Sequence, residues 1–338
     1  MKKIILLLIF VIVLSGFSGC RQRNIQNRDG LLNITTTVFP AYDFVRQITG
    51  DRVNLTMLLP PGAESHSFEP SPRDIINIMN SDIFIYVGES ERWIERIFQS
   101  MNTDGMTIFA MMDAVELLMI DEHDDDHACD DDDCDDDDHH DHDHHDHSHG
   151  HDHHDHEFDD TCSIFDEHIW TSPRNALLIV LAITELLSEA DPGNAAFFRQ
   201  NAASYIKELE QLDATFAEVT AGARRRTIVF GDRFPFRYLA EAYGLRWHAA
   251  FDGCSTDTEP SAATVAFLIN TIRAERIPVV FHIELSNERM ADTIAGETGA
   301  KKLLFHSVHN VSRRDFDAGL GYLELMRRNV ETLREALN

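Results

Sequence analysis

The sequence predicts an α/β protein of two lobes, and three observations carry that expectation. Short β-branched, apolar runs alternate with helical patterns in two separate series, one before and one after the middle of the chain. Between the series stand two long helical patterns, residues 173–190 and 195–220. Finally, 338 residues with 43% hydrophobic content suffice for two cores, at roughly 100–200 residues per domain.

The elements follow in order. Residues 31–39 (LLNITTTVF) are β-branched and apolar and read as the first strand, ended by Pro40. Residues 42–49 have helical spacing. Residues 53–59 form a second strand, stopped by Pro60-Pro61-Gly62. Pro72 suits a first helical position, and 73–79 continue that helix. Residues 83–87 (IFIYV) suit a buried parallel strand, 93–101 a helix and 107–109 a further strand. Ser172 and Pro173 read as cap and first residue of the helix 173–190. The second series runs from a strand opening at 227–231 through helix 238–243, strand 246–251 and helix 261–274. It continues with strand 279–283, helix 287–298, strand 302–305 and a closing helix 315–337. No internal repeat is visible.

The N-terminus sets the compartment. Lys2 and Lys3 precede eleven apolar residues, 4–14, and then Phe17-Ser18-Gly19-Cys20. That order is a secretory signal, too short to span a bilayer as a mature helix. Cys20 after Ser-Gly resembles the lipidated cysteine of a bacterial lipoprotein, although Phe17 stands where leucine is usual. The expected partition is a signal peptide at 1–19 and a lipidated Cys20 with a tether at 20–30. A first lobe follows at 31–172, a helical connection at 173–222 and a second lobe at 223–338. The protein is expected outside the cytoplasm, anchored to a membrane by lipid, as a monomer. Cys129, Cys134, Cys162 and Cys254 remain in an oxidising compartment, with their pairing open.

The formal charge of −29 excludes nucleic acid as a partner, because phosphate backbones would repel the chain. Most of that charge is local. Residues 121–160 hold 21 acidic side chains, no Lys or Arg, and 13 of the 19 histidines. Such a stretch cannot bury a core and is expected to be a disordered loop that binds metal weakly at many places. Its ligands would be His139, His140, His142, His144, His145, His147, His149, His151, His153, His154 and His156. A capture or sensing role for metal is the expectation. The alternative is a merely solvated charge run.

Six histidines lie elsewhere: His66, His168, His248, His282, His306 and His309. His66 sits in a strand-to-helix loop, PPGAESHSFEPS, and His168 in DEHIWTSP just before a helix. His282 within an apolar strand and His248 beside Trp247 suggest packing roles. The H-S-F-E-P-S stretch, the H-I-W-x-S-P-x-N-A stretch and the Asp/His-rich insert ahead of it resemble the zinc-binding subunits of bacterial ABC importers.

The resemblance covers nearly all of the mature chain, including the ending from Tyr322 to Asn329. It implies two Rossmann-like lobes joined by a long rigid helix, with metal in the cleft between them. His66 and His168 match the family's first-lobe ligands. Arg233 falls where a third His is usual, and a guanidinium cannot ligate a cation. The family's last ligand is an acid after a late strand, and His306 falls near that place. The expected metal ligands are therefore His66, His168 and His306, with Asp232, Glu284 and His309 as additional candidates. The implied cargo is Zn2+, with Mn2+ or iron in a receptor of the same fold as the alternative, and the implied partners are an ABC permease and its ATPase. A metal buffer or adhesin is a further alternative. No H-E-x-x-H motif supports a metal-dependent hydrolase, so an enzyme is not expected.

Overall fold

A computed structural model describes residues 30–65, 67–120, 165–251 and 260–338. The expected signal peptide, Cys20, His66, the histidines of the insert, and Cys129, Cys134, Cys162 and Cys254 lie outside the described residues.

The first lobe is a parallel sheet of β1 (Asn33–Thr36), β2 (Asn54–Met57), β3 (Ile83–Tyr86) and β4 (Thr107–Ala110), in the order β2-β1-β3-β4. Its helices are α1 (Phe39–Thr49), α2 (Pro72–Met79) and α3 (Arg92–Ser100). Two helices follow, α4 (Pro173–Ala190) and α5 (Ala195–Ala221), packed on each other. The second sheet holds β5 (Thr227–Arg233), β6 (Arg246–Phe251), β7 (Val279–His282) and β8 (Lys301–Leu304). Its order, β6-β5-β7-β8, is also all parallel and repeats the first. The remaining helices are α6 (Arg237–Tyr243), α7 (Ala262–Glu275), α8 (Arg289–Thr298), α9 (Arg313–Asp317) and α10 (Tyr322–Leu337).

Local chemistry explains the boundaries. β1 stops at Thr36, short of the expected 39, because Pro40 lies in the first turn of α1 and removes an N–H a strand would need. Ser71 and Asp74 form a reciprocal cap on α2, and Ser261 caps α7 through the Thr264 N–H at 3.0 Å. Ser172 holds the N-cap position of α4 as expected, but its side chain makes no capping bond. The expected closing helix is two helices. Gly319 adopts a left-handed φ of 75° between α9 and α10, which breaks the hydrogen-bonding ladder there. Gly231 in β5 permits close packing of α8: a Cβ there would stand 2.5 Å from the Ala291 Cα.

The lobes share one core. A single buried cluster contains Phe44 of the first lobe, Trp170, Phe198 of α5, and Phe230, Phe305 and Tyr322 of the second. α5 packs on α1 and on α10, and its 27 residues are long enough, at about 40 Å, to run along both lobes. Asp43 adds a polar tie: its buried carboxylate accepts the Tyr322 N–H at 2.7 Å, at the N-terminus of α10. Burial pushes the Asp43 carboxyl up, against the opposing pull of Arg46. Among the described residues no helix is long and apolar enough to cross a membrane.

Both sheets reverse strand order beside their first strand, which opens a crevice at the carboxyl ends of β1 and β3 and of β5 and β7. The loops leaving those ends meet between the lobes.

Candidate metal centre

The loop after β2 carries Glu64 and Ser65, and the segment entering α4 carries Asp166, Glu167 and His168. From the second lobe come Arg233 at the end of β5, Glu284 after β7, and His306 and His309 after β8. Ser65, His168, Arg233, Glu284 and His309 line one cavity of about 50 Å³ between the lobes. At about 10–15 Å³ per water-sized group, that space takes an ion and a few small atoms but no large chelate.

His168 is oriented from behind. Asp166 Oδ1 accepts both the His168 backbone N–H, at 2.8 Å, and its Nδ1–H, at 2.9 Å. This arrangement puts the ring's lone pair on Nε2, the tautomer that a metal needs. Burial lowers the proton affinity of His168, but the charge and hydrogen bond of Asp166, with Glu167 and Glu284, raise it net above the ordinary value. Asp166 is itself tied across the lobes, since its carbonyl accepts the Tyr238 hydroxyl at 3.0 Å.

His309 arrives from the other lobe. Its ring lies edge-on to His168, with centroids 5.2 Å apart, and the buried Trp170 ring stands against both. The loop that carries it turns through Val308, whose φ of 63° is rare for a β-branched residue. Four bonds hold the loop on the first lobe. The His309 carbonyl accepts from Phe39 N at 3.3 Å, the Val311 carbonyl accepts from Gly62 N at 2.8 Å, and Asn310 Nδ2 donates to Pro60 O and Ala63 O at 2.9 and 2.7 Å. Trp170 Nε1 also donates to Ser307 O at 2.9 Å.

One donor atom from each of Glu167, His168 and His309 lies within 4.8 Å of the other two, and all three residues are buried. Tetrahedral zinc donors stand about 3.3–3.5 Å apart, so the set needs to contract by at most about 1.5 Å. Two imidazoles and a carboxylate suit zinc by type as well. Glu167 was not among the expected ligands. The signal for it was adjacency to His168 in the D-E-H run, which looks uninformative because neighbouring side chains usually diverge.

The other expected residues are placed differently. Sequence ranks His306 ahead of His309, whereas the structure brings His309 to His168 and holds His306 aside. His306 Nδ1 accepts the Val308 N–H at 3.0 Å, which puts the ring proton of a neutral imidazole on Nε2. Its backbone is clamped by Asn329 at 2.7 and 2.8 Å. Glu284 lines the cavity, but its oxygens accept from Ser307 N and Oγ at 2.7 and 2.5 Å. Asp232 accepts from Arg233 N at 2.9 Å, from Ile283 N at 3.1 Å and from the Ser286 hydroxyl. Both acids shape loops in this conformation. Arg233 lines the cavity as a cation that cannot ligate. His248 packs on Phe267 and His282 bonds the Ile283 carbonyl at 3.1 Å, and neither belongs to the cavity.

A second carboxyl sits nearby. Glu91 accepts from Thr37 Oγ1 at 3.0 Å and Val87 N at 2.7 Å, at the carboxyl ends of β1 and β3. Burial pushes it up to about 8, and the charge of Glu167 adds to that.

Comparison with known proteins fits this geometry. Residues 34–336 match the family described as zinc-uptake complex component A, periplasmic. The zinc-binding lipoprotein AdcA of Streptococcus pneumoniae is 31% identical over 99% of this chain, which spans 61% of that relative's length. The high-affinity zinc uptake system protein ZnuA of Bacillus subtilis is 28% identical over 97% of this chain and 94% of its own. The crystal structure of the Zn(II)-bound ZnuA-like domain of the pneumococcal AdcA superposes with a TM-score of 0.69 at 28% identity. That superposition covers 91% of this chain and 99% of the domain.

Proposed function

We propose that this chain, which belongs to the zinc-uptake complex component A family, is an extracytoplasmic receptor that captures Zn2+ and delivers it to an ABC permease. The observation that carries the reading is the convergence of two buried imidazoles, His168 and His309, one from each lobe, on a small cavity at the carboxyl ends of both sheets. A receptor needs donors from two bodies, because an ion held by both favours the closed arrangement and is released when they part. The family match and the pneumococcal and Bacillus relatives named for zinc support zinc as the cargo.

His66, expected as a ligand from its motif, follows Ser65, whose hydroxyl lies 3.4 Å from His309 Nδ1. The ligand set of this reading is His66, His168 and His309. The protein binds and releases without making or breaking covalent bonds, and it is held to a membrane through Cys20. The histidines of 121–160 gather metal near the cleft.

The test is zinc titration of the purified chain against a competing chelator. One ion is expected to bind tightly, apart from weaker ions on the insert. A His66→Ala, His168→Ala double variant that keeps the tight ion would overturn the assignment. Manganese outcompeting zinc for that ion would overturn the cargo.

A further inference from the structure

We propose that Glu167 is a direct ligand of the bound ion, so that the first lobe supplies the carboxylate of the site as well as imidazole, and the second lobe supplies His309. The inference rests on the reading of the cleft as a divalent-cation site and goes beyond it by naming the oxygen donor.

Geometry carries the argument. In extended chain, residues 167 and 168 would point to opposite sides. Here the chain bends at His168, whose φ and ψ are −82° and 43°, and Ile169 N bonds the Glu167 carbonyl at 2.8 Å just ahead of the 3-10 turn Ile169–Thr171. With that bend Glu167 Oε1 stands 3.8 Å from His168 Nε2. That nitrogen carries the ring lone pair, because Nδ1 keeps its proton and donates it in a hydrogen bond to Asp166. Glu167 therefore meets His168 on its ligating side, and His309 completes the group.

Glu284 accepts from Ser307, Asp232 from Ile283 and Ser286, and Glu64 from the Ser67 N–H at 3.0 Å. Among the described residues, Glu167 is the carboxylate that groups with both imidazoles. Glu167 is itself buried beside both rings, at 8% exposure. The second lobe's late loop brings an imidazole, His309, and the first lobe brings the acid.

A carboxylate among imidazoles also sets selectivity. Oxygen ligands suit manganese, whereas imidazole suits zinc. Neutralising Glu167 should therefore weaken both metals and manganese more.

The experiment compares the full chain with Glu167→Gln and His168→Ala by chelator-competed titration with zinc and with manganese. A zinc-loaded crystal structure of the unaltered chain accompanies it. We expect Glu167→Gln to lower zinc affinity by about ten- to a hundredfold or more, with a larger fall for manganese. A Glu167 oxygen is expected about 2.0–2.2 Å from the ion. If His168→Ala loses the tight ion while Glu167→Gln keeps wild-type affinity for both metals, the ligand proposal is overturned and the receptor reading stands. An equal loss of both metals, with a lowered melting temperature of the metal-free protein, would make Glu167 structural and also overturn it. If His168→Ala keeps the tight ion, the reading of the cleft itself fails.

Discussion

The two lobes repeat one topology but position their candidate donors by different means. In the first lobe the Asp166 side chain fixes the His168 ring, and a local bend at His168 brings Glu167 beside it. In the second lobe His309 is aimed by its backbone, through the positive φ of Val308 and a loop bonded to Phe39, Gly62, Pro60 and Ala63 of the first lobe. The first half is thus set by short-range contacts, with one tie across the lobes at Tyr238, while the second half depends on contact between lobes throughout. Identical strand order fixes where the loops emerge; it leaves open how each loop presents a ligand.

The sharpest way to break this comparison is to remove one donor from each half. His168→Ala and His309→Ala should each weaken tight zinc binding by at least about a hundredfold, more than a supporting residue would, whereas His306→Ala should change it far less. Competitive titration decides it, and a larger loss for His306→Ala than for His309→Ala would return the late ligand to the place the sequence favoured.

Next comes the orienting carboxylate of the first half. Asp166→Asn should cost about ten- to a hundredfold in zinc affinity, because the asparagine no longer enforces the tautomer. The variant also carries a pH signature. Asp166 helps hold His168 above its ordinary 6.5, so protons compete with zinc as pH falls through that raised value. In the unaltered chain the affinity should begin to fall at a higher pH than in Asp166→Asn. Coincident pH curves would remove Asp166 from this role.

Gly231→Ala tests the packing beneath the second half. The added methyl meets Ala291 backbone at 2.5–2.7 Å, which backbone shift alone can relieve. A loss of roughly 1–3 kcal/mol is expected from overpacking, read by denaturant unfolding of the metal-free protein. An unchanged midpoint would show that α8 has room to move.

A last effect, on pH dependence and not on the metal, lies at Glu91. Its folded value of about 8 stands above the ordinary 4.5, so the fold prefers the neutral carboxyl. Stability linked to this group is full at low pH and is lost as pH rises past 4.5 and through 8. Glu91→Gln should flatten the melting temperature between about pH 5 and 9, and an unaltered slope would place the pH dependence elsewhere.

Much of this was legible in the chain. Strand and helix periods are local, and they place the elements to within a few residues. The exceptions have local causes too: Pro40 starts α1 early, and Gly319 divides the closing helix. The repeat of one sheet order in both lobes was not legible, because a shared topology needs no shared residues. Of the site, His168 was readable because its motif is contiguous.

His309 and Glu167 were not readable in the same way. Which late histidine enters the cleft turns on the sign of one φ at Val308 and on bonds to residues some 250 positions away in sequence, such as Asn310 to Pro60. Asp232 and Glu284 bond Ser286 and Ser307, and among the described residues neither groups with His168 and His309. By itself the sequence determined the fold class, the histidine motif and the placement of the acidic insert, since these follow from local pattern and composition. The tertiary structure decided which donors converge, because coordination is a matter of atoms a few ångströms apart on elements from both lobes, and only the packing of those lobes sets that distance.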